Sequence, residues 1–190
     1  YNFETLYNRI RQMAFLNKGI RLTFNWNKED EHKGTYSFCY EGGIKEYIKF
    51  LNENEARIFE DILYCEGEDS ETSIIVEAAL QYNTSYTEKT YAFCNNILTP
   101  DGGTHLDGFR QTLARVINAY AKDKNLIKEN DEPIRQDDLK EGLTAIISVK
   151  HPDPQYEGQT KGKLGNAEVK PVVNKIFGEY LKRYLLENPD

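Results

Sequence analysis

The sequence LTAIISV, at residues 143–149, decides the fold class because it is a near-continuous apolar run. A strand that is covered on both faces has this composition, whereas a half-exposed strand alternates apolar and polar residues. We therefore predict a central, buried strand here. The strands and helices predicted along the rest of the chain are compatible with a mixed α/β (α+β) fold.

Three further strand candidates precede this run, at residues 61–65, 72–82 and 90–98. Each is rich in β-branched or aromatic residues, and polar, turn-rich segments separate them. Because the three candidates follow one another along the chain, they predict an antiparallel meander.

Two long helices are also predicted. Residues 104–124 and 167–187 both carry apolar side chains at helical spacing, and the first helix is expected to pack on the sheet. Pro171 removes a backbone donor near the first turn of the second helix, which predicts an irregular start. The apolar positions are Phe109, Leu113, Val116, Ile117 and Tyr120 in the first helix, and Val169, Val173, Ile176, Phe177, Tyr180 and Tyr184 in the second.

The N-terminal part of the chain has its own pattern. Residues 4–16 have the spacing of an amphipathic helix, and the alternating runs at residues 20–26 and 36–40 predict a β-hairpin. Paired glycines then interrupt the chain. We therefore predict a domain boundary that separates residues 1–40 from residues 41–190.

The composition excludes several classes of protein. With 39% hydrophobic and 12% aromatic residues the chain is expected to fold rather than remain disordered. No apolar run approaches the roughly 20 residues of a membrane-spanning helix. The net charge of −7 argues against a protein that coats DNA through bulk positive charge, so any contact with nucleic acid must be local.

The cysteines and histidines show no metal-site spacing. The three cysteines lie far apart in apolar, strand-like surroundings, which predicts free thiols in a reducing cytoplasm. The three histidines are scattered, and neither HExxH nor CxxC occurs, so no zinc site is expected. The residues concerned are Cys39, Cys65, Cys94, His32, His105 and His151.

The segment HPDPQYEGQTKGKLG, at residues 151–165, is too rich in proline and glycine for regular structure. A loop of this length within a compact domain is usually functional or disordered. It carries Gln159, Lys161 and Lys163 on a glycine-flanked tip, where a lysine can reach a phosphate as a mobile charge and a glutamine can add neutral hydrogen bonds. From the residue types alone a solubilising surface lysine is the commoner explanation, and the loop lacks the GxxxxGK[ST] pattern of a Walker loop.

A second candidate is the segment DGGTHLDGFR at residues 101–110. Its paired glycines permit a tight turn, and Thr104 is expected to cap the helix that follows. On the helical wheel Arg110 lies at the edge of the apolar stripe, so it can line a cavity, whereas Arg115 points toward solvent. His105 by itself predicts a capping or packing residue.

Six motifs occur in an order that resembles the B subunit of bacterial DNA gyrase, a type IIA topoisomerase. The resemblance implies that residues 41–190 form a transducer domain, a ribosomal protein S-five domain-two-like fold with a left-handed βαβ crossover. Residues 1–40 are then the last helix and hairpin of a GHKL-type ATPase domain. The motifs are AFLNKGI (14–20), EGGI (41–44), NNI (95–97), GGTHLDGFR (102–110), EGLTAIISVKHPDPQYEGQTKGKLGN (141–166) and YLLENP (184–189).

The same resemblance assigns roles to site residues. Gln159 and Lys161 belong to the family's QTK loop and contact the γ-phosphate of ATP, where Lys161 stabilises the charge that develops during hydrolysis. Arg110 matches an arginine that lines the internal DNA cavity. The catalytic base, the Mg²⁺ ligand and the adenine-binding residue of the family precede Tyr1. We therefore expect a fragment that is inactive alone and binds no cofactor, although the intact protein uses ATP and Mg²⁺.

The implied function is to couple ATP hydrolysis to DNA strand passage and negative supercoiling in the cytoplasm. The implied partners are DNA, the gyrase A subunit in an A2B2 heterotetramer, and a second B subunit that joins through ATP-dependent dimerisation, with no membrane involved. Two alternatives remain open at this point. One is the equivalent subunit of topoisomerase IV, and the other is a stand-alone nucleic-acid-binding module of the same fold.

Overall fold

The structure is a computed structural model that describes residues 1–189, and within them it contains four helices and nine strands. Most of the predicted elements are present, with ends shifted by one to three residues. In chain order the elements are α1 (Phe3–Leu16), β1 (Leu22–Trp26), β2 (Gly34–Phe38), α2 (Ile44–Leu51), β3 (Leu63–Glu68), β4 (Ile75–Tyr82), β5 (Lys89–Cys94), β6 (Ile97–Leu98), α3 (Thr104–Asp123), β7 (Leu143–Lys150), β8 (Tyr156–Glu157), β9 (Lys163–Leu164) and α4 (Val169–Glu187).

Strand β7 is the middle strand of a five-stranded sheet with the order β3-β4-β7-β5-β6. Seven of its eight residues are buried, and only Lys150 is exposed. Strands β5 and β7 are parallel and are joined through α3, while the other neighbouring pairs are antiparallel. The predicted central strand, the βαβ connection and the mixed α/β class are confirmed.

The predicted antiparallel meander is wrong, because β7 lies between β4 and β5. A strand that is apolar on both faces needs a neighbour on each side and a helical layer above and below, so it takes the centre of the sheet. The polar segment between β4 and β5 therefore crosses the place in the sheet that β7 occupies. Its first residue, Asn83, donates its N–H to the carbonyl of Gly142, just before β7, at 2.8 Å.

The strand predicted at residues 90–98 consists of two strands, β5 and β6. Asn95 and Asn96 have φ angles of 49° and 64°, and Cys94 pairs with Ile97 across them. Two consecutive residues with left-handed backbone form the two-residue turn that joins antiparallel strands most tightly, and asparagine is one of the few residues that tolerates it. The pair of asparagines therefore reverses the chain.

Helices cover both faces of the sheet. On one face α3 and α4 pack against Ala78, Ile147 and Val149, and the rings of Phe109 and Phe177 stack there with centroids 4.7 Å apart. The opposite face packs against α2 and the end of α1, with a core of Phe15, Leu16, Ile44, Tyr47, Ile48, Ala79, Phe93 and Ile146. Neighbouring residues of β4 and β7 thus point into different cores, as the period of two in a strand requires.

Helix α1 belongs to two packing units. Near its beginning, Phe3 and Tyr7 contact aromatic rings of the hairpin formed by β1 and β2, including Phe24 and Tyr36. Near its end, Phe15 stacks on the ring of Tyr47, beyond residue 40, with ring centroids 4.6 Å apart. Aromatic contacts therefore cross the boundary predicted after residue 40, and the division into two domains stays a prediction.

The expectation that residues 151–165 contain no regular structure is wrong. Strands β8 and β9 form a short antiparallel hairpin within this segment, with Tyr156 opposite Leu164. Helix α4 begins at Val169, two residues later than predicted, after a turn at residues 167–168. Pro171 lies in its first turn, where the missing N–H removes no intrahelical hydrogen bond. Among residues 1–189 no helix has both the length and the apolar character needed to span a membrane.

We expect Phe109→Ala to lower the free energy of unfolding by about 3–5 kcal/mol, because it leaves a cavity beside Phe177 in a closely packed core. Leu186→Ala is the control, since Leu186 lies on α4 with 54% of its surface exposed. That change should alter stability by less than about 0.5 kcal/mol. Urea unfolding of both variants measures the difference, and equal losses would contradict the assignment of the core.

Candidate functional site

The hairpin of β8 and β9 presents residues 159–161 as an exposed tip. Lys161 has a φ of 56°, and Gly158 at the start of the tip has a φ of 80°. A lysine in the left-handed region carries a strain of about 1 kcal/mol or more, which persists only where the surrounding structure imposes it. The tip therefore has a defined backbone, on which Lys161 is exposed.

The hairpin is bound to the turn that begins α3. Asp101 donates its N–H to the carbonyl of Gly162 at 2.9 Å, and Leu164 donates to the carbonyl of Gly102 at 3.1 Å. A Cβ on Gly103 would lie 2.4 Å from the backbone oxygen of Leu164, and Gly103 has a φ of 134°. Only glycine fits this position. The two glycine-rich segments found in the sequence thus form one site.

The base of the hairpin is held by a set of hydrogen bonds around Asn166, which is 3% exposed. Asn166 accepts the N–H of Gln155 at 2.6 Å and donates to the carbonyl of Asp153 at 3.2 Å and to Glu168 Oε1 at 2.9 Å. His151 also contacts Glu168 Oε1, through Nε2 at 2.8 Å. These contacts tie both ends of the hairpin to the beginning of α4.

Two of these side chains have defined protonation. His151 Nδ1 accepts the N–H of Asp153 at 2.9 Å, so the proton of the neutral ring is on Nε2 and points at Glu168. Hydrogen bonds from its own backbone N–H, from Asn166 and from His151 hold the pKa of the Glu168 carboxyl below its usual value. Glu168 is therefore an ionised acceptor. Neither residue was singled out for this role from the sequence, because their contacts come from positions far apart in the chain.

Lys161 and Lys163 differ in their surroundings. Lys163 Nζ lies 3.4 Å from Glu157 Oε2 and forms an ion pair. Lys161 makes no ion pair within the part of the chain that the structure describes, and its Nζ lies 5.7 Å from the centre of the Tyr156 ring. Tyr156 is fixed in turn by donating its hydroxyl to the carbonyl of Cys94 at 3.2 Å. Of these two lysines, Lys161 offers a full positive charge to a ligand.

Arg110 lies on the second turn of α3 and forms an ion pair with Glu88, the residue before β5. Both side chains are about one quarter exposed, at 27% and 23%. The Arg110 charge is therefore matched within the chain but remains accessible from one side. Arg115 is exposed as predicted, and its Nη2 also donates to Asn174 Oδ1 on α4 at 2.5 Å.

The prediction that Thr104 caps α3 is wrong. The N-cap is Gly103, which makes no side-chain cap bond, and Thr104 Oγ1 is buried without a partner among residues 1–189. The reason is the close contact between Gly103 and Leu164, which requires a residue without a Cβ at the cap position. The helix therefore lacks a side-chain cap, because the hairpin approaches too closely for any residue with a Cβ at this position.

His105 is a packing residue with a defined tautomer. Thr99 Oγ1 donates to the carbonyl of Ala92 at 3.0 Å, so it can only accept from His105 Nε2, which lies 3.0 Å away. The proton is therefore on Nε2, and the bare Nδ1 is buried without a partner among the described residues. Burial lowers the pKa of His105 to about 4.

The residues described by the structure contain no group of three or more His, Cys, Asp or Glu side chains that could hold a metal ion. The three cysteines are free thiols, and burial raises the pKa of Cys65 to about 12, so that thiol is unreactive at neutral pH. The side chains suited to a cofactor are those of Gln159 and Lys161, which together can bind an anionic group such as a phosphate.

Comparison with known proteins gives a consistent result. The family model described as DNA gyrase B matches residues 43–190. The DNA gyrase B subunit of Staphylococcus aureus (strain MRSA252) is 49% identical over 189 residues, which cover all of this chain and 29% of that protein. This chain thus spans less than a third of the length of the curated relatives it matches.

Two solved structures share the fold over the whole chain. The 43K ATPase domain of Thermus thermophilus gyrase B, in complex with an aminocoumarin, aligns with a TM-score of 0.85 and 35% identity. The topoisomerase IV ATP-binding domain of Francisella tularensis, in complex with a small-molecule inhibitor, aligns with a TM-score of 0.82 and 27% identity. In each case the chain covers 50% of the other protein's chain.

We expect the stability of the chain to fall by about 2 kcal/mol between about pH 7 and about pH 5 because of His105. Its folded-state pKa is below its unfolded value of 6.5, so the unfolded state takes up the proton first as the pH drops. The loss begins near the unfolded pKa and is complete near the folded one. Urea unfolding at both pH values measures it.

His105→Gln is the control for this pH dependence, because glutamine can still donate to Thr99 but does not titrate. The variant should lose less stability than the native chain over the same pH interval. An identical loss in both proteins would show that other groups cause the pH dependence.

Proposed function

The chain belongs to the DNA gyrase B family, and on that basis we propose that residues 41–190 are a transducer domain whose Lys161 contacts the γ-phosphate of ATP. Residues 1–40 are the last helix and hairpin of the preceding ATP-binding domain. The domain couples ATP hydrolysis to DNA strand passage and negative supercoiling. The gyrase A subunit and a second copy of the B subunit are the protein partners, and the function is carried out in the cytoplasm.

The observation that carries this proposal is the contrast between the two lysines of the hairpin. Lys161 is exposed, has no carboxylate partner among residues 1–189 and lies on a tip that three glycine contacts hold in place. Lys163 is already paired with Glu157. An unpaired ammonium on a fixed support is suited to a ligand with concentrated negative charge, and the terminal phosphate of a nucleotide is such a ligand.

In this role Lys161 acts mainly in the transition state. As the γ-phosphoryl group transfers to water, charge redistributes over its oxygens, and a positioned ammonium lowers the energy of that state. Gln159 adds a neutral hydrogen bond to the same group. The catalytic base, the adenine-binding residue and the ligand of Mg²⁺, which neutralises charge on the phosphates, are assigned to the ATP-binding domain, so these 190 residues are expected to be inactive alone.

Loss of the terminal phosphate removes the ligand of Gln159 and Lys161. The hairpin is then free of the nucleotide, and the transducer, together with the end of α1 that packs against it, can move relative to the body of the ATP-binding domain, as segments ordered by a γ-phosphate do in other nucleotide switches. The rigid connection from the hairpin to α3 supports this coupling, because a displacement of the tip is transmitted to the N-terminus of that helix. Lys161 is thus both a catalytic residue and a nucleotide sensor.

The DNA contact is local rather than general. The net charge of −7 disfavours the alternative of a stand-alone nucleic-acid-binding module, which needs several phosphate contacts. Arg110 is proposed to face the DNA cavity, and its pairing with Glu88 keeps the charge in place until DNA arrives.

The likeness to a topoisomerase IV domain supports the equivalent subunit of that enzyme as a second candidate. Supercoiling of relaxed DNA by the reconstituted enzyme distinguishes gyrase from it.

We expect Lys161→Ala in the full-length protein to lower the rate of ATP hydrolysis by at least about 100-fold, because it removes transition-state stabilisation. Nucleotide binding, measured by equilibrium titration, should change far less. The control is Lys163→Ala in the same hairpin, which should retain hydrolysis within about twofold of the native rate. Normal turnover by the Lys161 variant would refute the proposed role.

We expect Arg110→Gln in the full-length protein to reduce DNA-stimulated hydrolysis and supercoiling more than basal hydrolysis. Because the change leaves the Glu88 carboxylate half-buried and unpaired, the double variant Arg110→Gln with Glu88→Gln serves as the control for folding. It should recover stability without recovering DNA stimulation. A double variant with native stimulation would rule out a DNA-contacting role for Arg110.

A further inference from the structure

The turn at residues 95–96 makes contacts that chain reversal alone does not need. It joins β5 to β6, and both residues have left-handed backbone. Glycine satisfies this geometry at least as well as asparagine. The two asparagine side chains, however, reach in different directions and bind two separate parts of the molecule. We refer to residues 95 and 96 as the Asn turn.

Asn95 binds the base of the hairpin that carries Lys161. Its Oδ1 accepts the N–H of His151 at 2.8 Å, and its Nδ2 donates to the carbonyl of His151 at 3.0 Å. This pair of bonds resembles the pairing between two strands. His151 in turn contacts Glu168, and the neighbouring Cys94 accepts the hydroxyl of Tyr156 from the same hairpin. The hairpin base is therefore attached to the turn at two points.

Asn96 binds α1. The backbone carbonyl of Asn96 accepts Arg9 Nη2 at 2.9 Å, and the Asn96 side chain donates through Nδ2 to Asn17 Oδ1 at 3.3 Å, so only the second contact depends on the asparagine side chain. The orientation of the second bond is defined, because Asn17 Nδ2 already donates to the carbonyl of Met13 at 2.8 Å. Asn96 Oδ1 is buried without a partner among residues 1–189. An unsatisfied acceptor disfavours folding, so this side chain is poorly explained by stability alone.

We propose that the Asn turn is a positioning element that holds the Lys161 hairpin in a fixed relation to α1. One side of the turn binds the hairpin base, and the other binds the helix that precedes the sheet. The inference rests on the proposed function of Lys161. It adds the residues that set the position of Lys161 relative to the N-terminal segment, and hence relative to the nucleotide. Asn95 and Asn96 act through Lys161 and do not touch the nucleotide.

The test uses Asn95→Gly and Asn96→Gly in the full-length protein, because glycine keeps the turn and removes only the bridging side chains. A small misplacement of a catalytic group strongly slows the chemical step, so we expect kcat for ATP hydrolysis to fall about tenfold with KM for ATP unchanged. The melting temperature should fall by at most about a few degrees in Asn95→Gly, because solvent can replace its two exposed hydrogen bonds, and should stay the same or rise in Asn96→Gly. Combined with Lys161→Ala, neither change should lower the rate further.

Asn125→Gly is the matched control, since Asn125 also has left-handed backbone, with a φ of 56°, but lies exposed beyond the end of α3. It should leave kcat unchanged. The inference is overturned if the two variants behave like this control, if their lower rate comes with a larger fall in melting temperature or with a higher KM, or if their effects add to that of Lys161→Ala. If the Lys161→Ala variant hydrolyses ATP normally, the proposed function is refuted together with this inference. If Lys161→Ala loses hydrolysis but the two asparagine variants do not, only the positioning role is refuted.

Discussion

Burial of β7 on both faces is the constraint on which the rest of the structure depends. A strand without a polar face cannot lie at an edge of the sheet or leave one side in water, so it requires β4 and β5 beside it and helices above and below. Strand β7 ends at Lys150, and His151 and the hairpin of β8 and β9 follow it directly. The position of Lys161 is thus a consequence of where the central strand ends.

The sequence predicted the elements whose physical cause is local. The apolar run of β7, the spacing of α3 and α4, and the alternation of β1 and β2 are properties of neighbouring residues, and all were found where expected. The strand order was mispredicted because it depends on competition between strands for the centre of the sheet. Residues such as Asn52, Gln81, Asn83 and Thr144, which form a buried hydrogen-bonded network near one end of the sheet, give no sequence signal of their contacts.

The sequence suggested the residues of the candidate site, but not the contacts that support them. Lys161 and Gln159 stand out because glycines flank them, and the family resemblance supplied the ligand they would meet. The contact between Gly103 and Leu164 joins segments about sixty residues apart, so no local pattern reveals it. The same contact explains the failed prediction at Thr104, since the residue type that best caps a helix has a Cβ that would collide with β9.

The stacking of Phe15 on Tyr40 and Tyr47 affects how the molecule can transmit force. Phe15 and Leu16 are each 2% exposed in the core shared by α1, α2 and the sheet. Pulling α1 away would expose both side chains, at a cost of about 1.5–3 kcal/mol each. Residues on both sides of the boundary predicted after residue 40 therefore share one core, and the second half of α1 is attached to the sheet.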